Sequence, residues 1–71
     1  MRNLEGKVAV WPDVVGEDGE AACAEIRSQR PDLKIVAAIP ENAPVTRDMR
    51  FDRVRVFVDE EGKVVKPPRV G

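Results

Sequence analysis

The chain has 71 residues, 35% charged and 42% hydrophobic, with a formal net charge of −1, which suits one small soluble domain over residues 1–71. Near-neutral charge argues against a general nucleic-acid binder, and no apolar run approaches the roughly 20 residues that span a bilayer. With no histidine, no tyrosine and a single cysteine, the chain lacks the commonest general base, most metal-site patterns and any intramolecular disulfide, so neither catalysis, a cofactor nor a metal is expected.

Met1 to Val10 begins polar and ends apolar, and residues 1–10 are expected to be partly flexible. This segment has no sustained apolar core, so no signal peptide is expected in this chain; its location stays open. Trp11-Pro12 marks a turn or short lead-in, with Trp11 as a packing residue. Asp18 is an N-cap candidate for a helix over Gly19 to Arg30, with Glu20 in its first turn. Ala22, Cys23 and Ile26 form a narrow apolar stripe on it, while Glu20, Glu25, Arg27 and Arg30 face solvent. Cys23 reads as a small buried hydrophobe, and without histidine it is a poor nucleophile. Pro31-Asp32 ends the helix.

Lys34 to Ile39 is short, apolar and β-branched, which favours a buried strand. Pro40 to Pro44 is loop chemistry, and Asn42 is a candidate for the left-handed region. Pro44 fixes its own φ and biases Ala43 towards extension, and Val45 and Thr46 are β-branched. Arg47-Asp48 then sets a long cation beside a carboxylate, which points to an exposed loop. From Arg53 to Val58 the sequence alternates with period two. Val54, Val56 and Val58 would face a core, with Arg53, Arg55 and Phe57 on the other side. The long connection permits parallel pairing of these two strands. A turn follows at Asp59 to Gly62, with Gly62 at positive φ, and Lys63 to Val65 is expected as a short strand. Lys66 to Gly71 is an extended tail whose prolines keep it out of a central ladder.

A stiff loop followed at once by a strand that aims two arginines back at it suggests a supported recognition loop. The same spacing also fits a plain solvated strand face with Arg47 as a loop-tip charge.

W-P-D-V-V-G at Trp11 to Gly16, P-V-T-R-D at Pro44 to Asp48, R-F-D-R-V-R-V-F-V-D at Arg50 to Asp59 and P-P-R-V-G at the C-terminus together resemble the potato type I family of serine protease inhibitors. The resemblance implies an α+β fold, with a single helix packed on a small mixed β-sheet and an extended exposed protease-binding loop. It also implies a reactive bond at Arg47–Asp48, with loop contacts from Pro44, Val45, Thr46, Met49 and Arg50 and loop support from Arg53, Arg55 and Gly71. The expected partners are serine proteases, trypsin-like first and subtilisin-like second, bound by a monomer. Asn42 stands where many members carry glycine, and the Pro31–Pro44 spacing is one residue longer than the usual pattern, which a bulge or longer turn would absorb. The alternative is a non-inhibitory interaction module on the same scaffold.

Overall fold

The computed structural model describes residues 8–71, so most of the N-terminal segment expected to be flexible lies outside the described residues. A 3₁₀ turn at Pro12–Val14 leads to helix α1 at Gly19–Gln29, followed by strands β1 at Ile35–Pro40, β2 at Arg53–Val58 and β3 at Arg69–Val70. The sheet order is β1-β2-β3, with β1 parallel to β2 and β3 antiparallel to it. This is the expected α+β architecture of one helix on a small mixed sheet.

The helix starts where the local chemistry directs it. The Asp18 carboxylate accepts a hydrogen bond from Ala21 N–H at 3.1 Å, satisfying one of the first-turn donors that have no partner inside the helix. Gly19 sits against the far end of the sheet, where a Cβ would lie 2.6 Å from Val58 Cγ1, so only glycine permits this approach of helix to sheet. Ala22, Cys23 and Ile26 are buried, and they pack in one core with Trp11, Val14, Val36, Val54, Val56 and Val64. Removing side chains of this size from water supplies about 1.5–3 kcal/mol for each valine or isoleucine, the main force holding so small a domain together. Trp11 is 4% exposed, and its indole N–H donates to Gln29 Oε1 at 2.8 Å, as a packing tryptophan should.

The β1–β2 ladder pairs Ile35 with Arg53 through to Pro40 with Val58 without interruption, so the longer Pro31–Pro44 spacing is not absorbed by a bulge within β1. Parallel strands cannot be joined by a tight hairpin and need a connection of about a dozen residues or more. Here that connection, residues 41–52, contains no helix, so the chain must travel the length of the sheet as an open loop. The parallel pairing is thus what creates the loop.

Several expectations are corrected. Arg30 is not solvated but 7% exposed at the helix C-terminus, with its guanidinium held by both carboxylate oxygens of Asp32, at 2.9 and 2.8 Å, and by the Val8 carbonyl at 2.8 Å. Burial becomes tolerable because the charge is paired and hydrogen-bonded. Asn42 is not left-handed: among the described residues only Gly16 and Gly62 have positive φ, and Asn42 sits in a turn closed by Ala43 N–H donating to the Pro40 carbonyl at 3.0 Å. Gly62 takes the expected φ of 80°. Lys63 to Val65 makes only single bridges, Lys63 with Asp18 and Val64 with Val58, and the third strand is Arg69–Val70 instead. Pro67 and Pro68, which lack N–H donors, interrupt pairing between the two stretches, and Arg69–Val70 then pairs at the edge with the start of β2.

Candidate functional site: a loop braced from the sheet

The ends of the loop are pinned by the backbone of the sheet. On one side, Glu41 N–H donates to the Val58 carbonyl at 2.8 Å. On the other, the Asp52 carbonyl accepts from the N–H groups of Lys34 at 2.8 Å and Ile35 at 3.1 Å. Between them, Pro44, Val45, Thr46, Arg47, Asp48, Met49 and Arg50 are all exposed and in no regular secondary structure.

Two arginines of β2 reach this segment from below. Successive residues of a strand alternate faces, so Arg53 and Arg55 point to the same side. Arg55 donates from Nη1 to the Thr46 carbonyl at 3.1 Å and from Nη2 to the Thr46 hydroxyl at 2.6 Å, and Nη2 also lies 3.8 Å from an Asp48 carboxylate oxygen. Arg53 donates from Nη2 to the Asp48 carbonyl at 2.8 Å and from Nη1 to the Asp48 carboxylate at 3.3 Å. Its Nε donates to the Gly71 carbonyl at 3.0 Å, while Gly71 N–H returns a bond to the Arg53 carbonyl at 2.9 Å. Arg53 is therefore 8% exposed, not solvated, with every wing of its guanidinium in use. Thr46 and Asp48, the residues on either side of Arg47, are each held twice. The Arg47 side chain has no hydrogen bond or ion pair among the described residues and projects from the loop.

The electrostatics follow from these contacts. The Thr46 hydroxyl accepts from Arg55, and the Thr46 side chain beside Asp48 is the largest influence holding the Asp48 carboxyl below the usual carboxylate range; the Arg53 guanidinium adds to it. Asp52 is likewise lowered, first by its hydrogen bonds from Arg50. By contrast, burial pushes the Cys23 thiol up, away from the reactive thiolate. Among the described residues no cluster of acidic or cysteine side chains could hold a metal ion.

The structure brings Thr46, Asp48, Arg53, Arg55 and Gly71 into one network. It leaves Pro44, Val45 and Met49 without polar partners, with Met49 72% exposed. Arg50 folds back on Asp52 as a two-pronged pair, Nε to Oδ1 at 3.1 Å and Nη2 to Oδ2 at 3.0 Å. Sequence reasoning missed Asp52, although the signal is present: Arg50-Phe51-Asp52 repeats the spacing of Arg30-Pro31-Asp32, and both close into the same clamp. It also passed over Phe51, which is 81% exposed between the two halves of the second clamp.

Comparison with known proteins agrees with this architecture. A sequence model described as the Potato inhibitor I family matches residues 4–71. An inhibitor of trypsin and Hageman factor from Cucurbita maxima is 48% identical over 61 residues, covering 86% of this chain and 88% of that protein. A Glu S. griseus protease inhibitor from Momordica charantia is 46% identical over 61 residues, covering 86% of this chain and 88% of its own. The crystal structure of bitter gourd trypsin inhibitor superposes with a TM-score of 0.87 at 40% identity, covering 92% of this chain and 94% of that one. The alternative of a non-inhibitory module has no support among these relatives. The chain belongs to the Potato inhibitor I family of serine protease inhibitors and is not an enzyme.

Proposed function

We propose that this chain, as a monomer, inhibits trypsin-like serine proteases by offering Arg47–Asp48 as a reactive bond, with Pro44, Val45 and Thr46 on one side and Met49 and Arg50 on the other. One observation carries the proposal: β2 holds the residues on both sides of Arg47 and leaves Arg47 itself unbonded among the described residues. A long cation free at the tip suits an acidic specificity pocket such as that of trypsin. Subtilisin-like enzymes are secondary targets, reached through the extended contacts of Pro44 to Thr46.

The bracing explains how a substrate-like loop can inhibit. Because the loop is held before binding, docking loses little conformational entropy. The protease serine attacks the Arg47 carbonyl carbon, and the Asp48 amine is the leaving group. Arg53 keeps Asp48 by its carbonyl and carboxylate, and Arg55 keeps Thr46, so the amine stays beside the acyl carbon. Its attack re-forms the peptide bond and competes with water, as a positioned group should. In solution exposed pairs of this kind contribute about 0–1 kcal/mol each, but a bound protease excludes water and strengthens the shared network.

The test is titration of a fixed trypsin concentration with the protein, run in parallel with subtilisin and chymotrypsin, with intact mass recorded over hours. Stoichiometric loss of trypsin activity, with the chain whole or cut only between Arg47 and Asp48, is expected. Rapid digestion beginning elsewhere in the loop, without inhibition, rejects the proposal.

A further inference from the structure

On the outer face of the sheet, under the loop, lies an open groove of about 450 Å³. Its floor is the face of β2 that carries Arg55 and Phe57, and its sides are Val10, Pro67, Lys66 and Arg69. Three features bear on what it could hold. Its volume falls within the roughly 300–1,000 Å³ usual for small-molecule sites. Its walls combine apolar surface with cations. Lys66 Nζ is poised 4.2 Å from the centre of the Phe57 ring, which orients the ammonium without neutralising it.

The charges in the groove are unequal in what they have left to offer. Arg55 is committed to Thr46 and Asp48 on the loop side. Lys66 and Arg69 have no side-chain hydrogen bond or ion pair among the described residues. Among the described residues no acidic side chain lines the groove. The uncommitted positive charge, Lys66 over the Phe57 ring and Arg69 opposite Arg55 in the ladder, therefore lines an apolar concavity, and the complementary ligand is flat, apolar and singly anionic. We propose that this groove binds aromatic carboxylates, with the carboxylate on Lys66 and Arg69 and the ring against Val10 and Pro67. The site is separate from the protease-facing side of the loop and does not depend on the inhibitor reading.

The experiment is a two-dimensional amide NMR titration with 2-naphthoate, alongside 2-naphthol, which has the ring without the charge, and acetate, which has the charge without the ring. Saturable shifts are expected at Val10, Phe57, Lys66, Arg69 and Gly71, with a dissociation constant of about 1 mM for a ligand of this size. Neither control should saturate in that range. The exposed pair Lys66→Gln/Arg69→Gln should weaken naphthoate about tenfold with the rest of the spectrum unchanged, while Lys66→Arg retains binding. Shifts that spread over the surface, that fail to saturate, or that are matched by naphthol, by acetate or by the double variant overturn the proposal.

Discussion

The two flanks of Arg47 are stiffened by different physics. On the N-terminal side, Pro44 and the β-branched Val45 and Thr46 restrict the chain through covalent geometry, two backbone hydrogen bonds, Glu41 to Val58 and Ala43 to Pro40, close its base, and Arg55 adds a brace at Thr46. On the C-terminal side there is no proline, and the base is closed by the Asp52 carbonyl accepting from Lys34 and Ile35 N–H. Asp48 is held by Arg53, and Arg50 by Asp52, so shape there depends on charged side chains. Covalent restriction, which dominates the first flank, is indifferent to pH and salt; the charged contacts that dominate the second are not. Both arginine braces persist as tethers once the bond between the flanks is cut, because the hydrogen bonds to Thr46 and to Asp48 do not require Arg47 and Asp48 to be joined.

The largest expected effect removes the residue between the flanks. Arg47→Ala should weaken trypsin inhibition roughly thousandfold or more, as loss of a central hot spot does, with unchanged thermal stability. Inhibition constants by active-site titration check this, and normal inhibition rejects Arg47 as the specificity residue.

Breaking the charged flank comes next. Arg53→Ala deletes bonds to Asp48 and to Gly71 and should cost about 2 kcal/mol in urea unfolding, since hydrogen bonds to charged groups are the stronger ones. It should also turn the chain from inhibitor towards substrate. A cleavage rate at Arg47–Asp48 equal to that of the parent, followed by mass spectrometry, would remove the bracing role.

A smaller effect probes the other flank. Since Asn42 does not use positive φ, Asn42→Gly should bring no relief of strain and should destabilise by about 0.5–1 kcal/mol through the freer unfolded chain. A rise in melting temperature would show that the turn prefers glycine after all.

The mildest perturbation is acid. The carboxyls of Asp48 and Asp52 are depressed in the folded chain, so they favour the fold fully above the ordinary aspartate value of about 3.9 and lose that contribution as pH falls through their lower folded values. The heteronuclear NOE of the Met49 and Arg50 amides should then fall on acidification while that of Ala43 is unaffected by these two groups. Equal responses on both flanks would erase the distinction.

Much of this molecule was legible before its structure. The helix and its Asp18 cap, the β2 alternation and the stiff Pro44–Thr46 stretch are encoded by neighbours in sequence, so local rules reach them. The same rules misjudged Arg30 as solvated. An arginine on a helix is read as exposed unless its partner is known, and the partners of Arg30 include Val8, 22 residues away. Arg50 and Asp52 were within local reach, yet the significance of their spacing emerges only when the loop turns tightly enough for them to meet.

The sequence alone, then, determined which segments can be helix, strand or stiff loop, because propensity, capping and backbone restriction act over a few residues. Tertiary structure decided that the tail beyond the prolines, not Lys63 to Val65, supplies the third strand. It also decided which arginines are buried, and that Lys66 and Arg69 share a groove with Phe57. Those outcomes depend on which distant stretches the parallel β1–β2 pairing brings together, and no local preference of the chain carries that information.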